Sequence, residues 1–132
     1  IVLMKHFCLV QGHRDLVAWQ EAMSLVTAVY RATQALPREE QFGLTAQMRR
    51  AAISVPSNIA EGAARRSRRD FADFLGIARG SLAELETQLE IARNLGFLAE
   101  SVSLDATIAR LFRLIAGLLS SLNSKNETDC AP

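Results

Sequence analysis

Apolar residues recur every three or four positions through most of this chain. Between Phe42 and Gly62 the sequence reads FGLTAQMRRAAISVPSNIAEG, with Leu44, Met48, Ala51, Val55, Ile59 and Gly62 at that spacing. Such steps place side chains on one face of a helix. Arg50, Ser54, Asn58 and Glu61 step alongside them as a polar ridge. A polar ridge beside a buried seam predicts that something is held there, either a partner helix or a bound molecule.

The pattern predicts four helices. The first starts near Asp15, a capable N-cap, and stops before Pro37, with a seam of Leu16, Trp19, Met23, Val26, Tyr30 and Thr33. The second covers Leu44 to about Ala64 and contains Pro56. Proline removes a backbone donor and crowds the carbonyl four residues back, so one helix kinked at Pro56 is expected rather than two short ones. The third follows Ser67-Arg68-Arg69-Asp70, a capping-box pattern, and carries Phe71, Leu75, Ala78, Leu82, Leu85, Leu89 and Ala92 on one face. Asn94-Leu95-Gly96 ends it, with Phe97 set to make the contact that accompanies a glycine C-cap. The fourth runs from about Ser103 to Leu122 through Leu104, Ile108, Leu111, Ile115, Leu118 and Leu122. Short connections force neighbours antiparallel, which predicts an all-α, up-down-up-down four-helix bundle over residues 15–123. Residues 1–14 read as an N-terminal extension and 124–132 as a polar tail.

Two helices carry more apolar surface than a lone bundle requires. The fourth has a second stripe, Ala109, Phe112, Ala116 and Leu119, and the first has Ala18, Leu25, Ala28, Ala32 and Ala35 outside its predicted seam. A doubly apolar helix is either central or at a subunit contact, so homo-oligomerisation is expected, with the fourth-helix stripe as its interface. Ala72, Gly76 and Gly80 form a small-residue strip on the third helix. Interior glycine costs about 1 kcal/mol per position, so the strip predicts a close backbone approach.

Composition agrees with this picture. The 132 residues are 49% hydrophobic but only 6% aromatic, with seven glycines and three prolines. One helical domain of this length buries roughly two thirds of its unfolded surface. The net charge of +1 drives no global attraction to nucleic acid or membrane, so any electrostatic partner must meet a local patch. Cys8 and Cys130, near opposite ends, read as free thiols rather than a disulfide, and Ile1 to Lys5 as sequence upstream of Met4 or a remnant. Nothing approaches the ~20 apolar residues of a membrane span. A cytoplasmic protein is expected.

The Phe42–Gly62 run, followed by Ile77-Ala78-Arg79-Gly80-Ser81-Leu82-Ala83-Glu84-Leu85-Glu86-Thr87-Gln88-Leu89, resembles the proteins encoded by intervening sequences of bacterial 23S ribosomal RNA genes. Asp15 to Gln20 and Leu95 to Leu98 resemble the same family's opening and third-helix ending. The resemblance implies an antiparallel four-helix bundle assembled as a ring-shaped homopentamer. In a related branch, the accessory proteins of diversity-generating retroelements, a basic surface binds nucleic acid and a reverse transcriptase. Most members have no assigned molecular function.

The chain's own residues bear on nucleic-acid binding. Arg65, Arg66, Arg68 and Arg69 crowd the junction of the second and third helices, and Arg49, Arg50 and Arg79 extend the basic count. Arginine pairs bidentately with phosphate. The alternatives are a solvated arginine-rich loop and, for Arg50, an internal bond to Glu84 or Glu61. No aromatic residue is interleaved with the cluster, so contacts to RNA or DNA are expected to be backbone-directed. A protein partner on the same surface is the competing expectation.

Catalysis is not expected. His6 and His13 both precede the first helix, so the Glu-x-x-His pairs of a di-metal bundle cannot form, and Ser54, Ser57 and Ser81 have no histidine in reach. No glycine-rich phosphate loop is present, and neither metal nor cofactor is expected. Ser54, Asn58, Glu61, Ser81, Glu84 and Gln88, with Arg50, read either as the lining of a polar pocket or as a hydrogen-bond network fixing helix register. The network is favoured.

Overall fold

The computed structural model describes residues 12–99 and 102–124. Cys8, Cys130, His6 and the Met4 region lie outside them, as does most of the tail. Four helices form: α1 (Val17–Thr33), α2 (Leu44–Ala63), α3 (Arg68–Asn94) and α4 (Asp105–Leu122), with single 3₁₀ turns at His13–Asp15 and Arg38–Glu40. No strand occurs among the described residues. Each helix packs on its sequence neighbours, and α1 closes the ring onto α4. This is the up-down-up-down bundle expected from the short connections.

The α2–α3 hairpin has one antiparallel register along its whole length. Gly62 abuts Phe71 and Phe74, Ser54 meets Ser81, and Gln47 faces Gln88 across a cleft. The α1–α2 pair is equally regular, with Trp19 level with Ala60, Met23 with Pro56 and Arg49 with Tyr30 and Thr33.

The helix ends follow from local chemistry. Ser67 Oγ accepts the Asp70 N–H at 3.0 Å, capping α3. At its other end Gly96 takes φ +76, the Phe97 N–H reaches the Ala92 carbonyl and the Gly96 N–H reaches that of Arg93, each at 2.9 Å. This is the complete Schellman arrangement, with Phe97 folded back on the core. Gly43 occupies the N-cap position of α2, and Glu40 supplies the cap, its Oε1 accepting the Leu44 N–H at 3.1 Å. α1 and α4 start one or two residues later than expected, because Leu16 and Leu104 occupy the cap positions and bury themselves instead of offering a polar cap. α2 runs unbroken through Pro56, which is buried.

The α3 and α4 seams are as the spacing predicted, every member buried. The α1 seam is not. Its buried residues are Leu16, Ala18, Ala22, Leu25, Val29, Thr33 and Leu36, while Met23 and Tyr30 are exposed and Trp19 and Val26 half-buried. Two apolar stripes lie side by side on α1, and the one richer in small residues wins. Alanine lets α1 approach its neighbours closely, which large aromatic side chains on that face would prevent.

The glycine expectation also moves. A Cβ at Gly76 or Gly80 would meet nothing within 4 Å, so no backbone approaches that strip in the protomer. The close approach is at Gly62, where a Cβ would lie 2.8 Å from Phe74 Cβ and 2.9 Å from Phe71 Cδ1. Gly62 closes α2 against the start of α3.

Candidate functional site

The four residues Arg65, Arg66, Arg68 and Arg69 surround Ser67 on the tight α2–α3 turn. Arg65 is the anchored member: its guanidinium lies 4.9 Å from the Phe74 ring centroid and 3.5 Å from Glu61 Oε1. Arg68 is half-buried, whereas Arg66 and Arg69 are exposed and form no ion pair among the described residues. The turn therefore presents two unengaged guanidinium groups beside two held ones.

The remaining basic residues do not join this patch. Arg49 sits near the other end of α2, about 24 Å from Arg65 by helical rise. There its Nε donates to Thr33 Oγ1 at 2.9 Å, its Nη2 to the Tyr30 carbonyl at 3.4 Å, and its guanidinium covers the Tyr30 ring at 4.5 Å. It clamps α2 to α1. Arg79 is exposed about 16 Å along α3 from Arg68. From Glu61 to Asp73 the count is four arginines against Glu61, Asp70 and Asp73, so the turn's own excess is one positive charge. Over residues 49–79 seven arginines stand against the same three carboxylates, but that larger excess is spread along the bundle.

The polar ridge divides into three parts. Ser54 Oγ and Ser81 Oγ share a 2.7 Å hydrogen bond, and Asn58 Nδ2 donates to both Ser54 Oγ (2.9 Å) and the Ser54 carbonyl (2.8 Å). This cluster staples α2 to α3 in register. Glu61 belongs instead to the arginine turn through Arg65. Arg50, Glu84 and Gln88 line a cleft of about 470 Å³ with Gln47 and Thr87. Arg50 bonds to neither Glu84 nor Glu61 among the described residues, contrary to expectation. Both partners lie on the surface, where solvation offsets most of the attraction between them. Gln88 Nε2 donates to Glu84 Oε1 at a long 3.5 Å, and Gln88 Oε1, fully buried, accepts no hydrogen bond.

On the apolar side, the α4 stripe is partly consumed within the protomer. Phe112 and Leu119 are half-buried against the core, leaving Ala109 and Ala116 exposed. The more open apolar surface lies between α1 and α2, a groove of about 310 Å³ lined by Trp19, Met23, Val26, Ile53, Pro56, Ser57 and Ala60. Met23 and Ile53 are 44% and 42% exposed on its rim. Trp19, Met23 and Val26 of the expected α1 seam lie along this groove instead of in the core. At the far side of the bundle, Arg93 grips Asp105 through both carboxylate oxygens at 3.1–3.2 Å and the Val102 carbonyl at 3.3 Å, with Glu90 3.7 Å away.

The family model for 23S rRNA-intervening sequence protein matches residues 14–117. The chain belongs to that family. The matched span takes in the Ser54–Ser81 staple, the arginine turn, the polar cleft and all but the last turns of α4, so these features sit within the shared domain. No curated protein matches the chain. No helix among its described residues is long and apolar enough to cross a membrane, and no group of His, Cys, Asp and Glu among them is placed to hold a metal ion.

Proposed function

We propose that the protein is a cytoplasmic, self-associating, non-catalytic bundle whose arginine turn contacts the phosphates of RNA or DNA. The observation that carries the reading is the Arg65–Arg69 turn, where Arg66 and Arg69 are exposed and form no ion pair among the described residues, beside the anchored Arg65. Guanidinium groups so arranged favour bidentate phosphate contacts. With an excess of only one charge, a single turn binds weakly. Assembly into a homo-oligomer, pentameric as the family resemblance implies, multiplies the patch and the affinity. Fluorescence anisotropy with a labelled single-stranded RNA and a DNA duplex at low salt tests this. The protein binds, and an Arg65/Arg66/Arg68/Arg69→Ala variant of unchanged native mass loses binding. Equal affinity in the two proteins refutes the reading.

The α1–α2 groove favours a second reading, an interaction scaffold without nucleic acid. In that reading the exposed Met23 and Ile53, with the half-buried Trp19 and Val26, face another polypeptide, and the arginines serve subunit contacts. Loss of the oligomer in the four-arginine variant supports it.

A further inference from the structure

The cleft between α2 and α3 brings together chemistry that the arginine turn does not use. Its floor is Gln88, only 6% exposed, whose Oε1 is buried and accepts no hydrogen bond. Buried polar atoms are satisfied in the great majority of cases, and an orphan of this kind calls for a donor. The amide's orientation is set by Glu84, since Nε2 faces its carboxylate at 3.5 Å and a flipped amide would turn oxygen toward oxygen. Glu84 and Gln88 thus carry acceptors on adjacent turns of α3, the Gln88 oxygen lying beneath the surface. Across the cleft, Arg50 presents a guanidinium that forms no ion pair among the described residues, with the Gln47 amide one turn away on α2.

We infer that this cleft binds a small zwitterion of the free α-amino acid type, with its ammonium between Glu84 and Gln88 and its carboxylate on Arg50. A simple anion satisfies Arg50 but brings no donor to Gln88 Oε1 and is repelled by Glu84. A simple diamine satisfies the acceptors but leaves Arg50 unmatched and repelled. A neighbouring ammonium and carboxylate meet both sides, and about 470 Å³ accommodates a molecule of that size. Gln88 Oε1 lies beneath the cleft surface, so an ammonium reaches it after side-chain rotamer changes of the fast surface kind. The Ser54–Ser81–Asn58 staple next to the cleft fixes the spacing of the two helices that carry its walls.

Thermal melts of the full chain with each of the twenty L-amino acids at millimolar concentration, followed by calorimetry of any hit, test the inference. Putrescine and propionate serve as half-ligands. At least one amino acid raises Tm by several degrees at roughly a hundredfold excess over its Kd, the shift growing with the logarithm of its concentration. Arg50→Ala and Glu84→Gln, both at exposed positions, each weaken that Kd by about tenfold or more, the value of a charge-assisted hydrogen bond. Three results overturn it: no amino acid shifting Tm, a half-ligand binding as tightly as the zwitterion, or a shift undiminished in both variants. None of these depends on nucleic-acid binding, so this inference and the arginine-turn reading stand or fall separately.

Discussion

Ser54 and Ser81 join hydroxyls at 2.7 Å across the α2–α3 interface, and Asn58 adds a donor to the same Ser54 oxygen at 2.9 Å. Three small polar groups in a partly buried setting thereby specify one register of two long helices. Removing Ser54 leaves two partners unmet, which costs about 1–2 kcal/mol. Removing Ser81 as well costs less than the sum of the single changes, with a coupling of about 0.5–1 kcal/mol. Urea denaturation of Ser54→Ala, Ser81→Ala and the double variant checks this; strict additivity contradicts the staple.

Glycine positions that look alike in the sequence separate sharply by substitution. Gly62→Ala forces a methyl within 3 Å of Phe71 and Phe74, and overpacking of that kind costs about 1–3 kcal/mol. Gly76→Ala and Gly80→Ala meet open space, so each gains helix propensity of about 1 kcal/mol. Denaturation midpoints shifting in opposite directions are the expected outcome.

The α1–α2 groove predicts where self-association is most easily broken. Met23→Glu and Ile53→Glu place charges on its exposed rim, where the protomer tolerates them but an apolar contact does not. Ala116→Glu, on the outer face of α4, has the smaller effect. Sedimentation velocity separates the three, and a stable oligomer in Met23→Glu and Ile53→Glu moves the interface elsewhere.

Arg93 fastens the α3–α4 connection through two carboxylate bonds and one carbonyl bond while its own side chain is only 17% exposed. Arg93→Ala lowers stability by about 1–2 kcal/mol, more than an ordinary surface pair contributes. Arg65, whose Glu61 partner is half-exposed, tolerates the same change with a smaller loss. Thermal unfolding compares the two.

Helices α3 and α4 were legible residue by residue because each has one dominant stripe of large aliphatics, and the Ser67 cap and Gly96 ending carry their own local chemistry. α1 was not, since its two stripes differ in size rather than polarity, and periodicity alone does not weigh how closely alanines let helices approach. The arginine turn was visible as a run of four. That Arg49 belongs to Tyr30 and Thr33 was not, because the contact depends on the α1–α2 register. Gln47 and Thr87, the remaining cleft residues, were missed for the same reason, although each lies about one turn from a residue already singled out. The Glu40 cap of α2 had no motif to announce it.

The salt dependence of binding reads most directly whether Arg66 and Arg69 meet phosphates. Plotting log Kobs against log salt for a DNA duplex gives a slope of about −0.9 for each phosphate neutralised. The Arg66→Ala/Arg69→Ala protein, matched in native mass to the parent, shows a slope shallower by about two for each engaged turn. An unchanged slope with unchanged affinity contradicts the assignment of the arginine turn to nucleic acid.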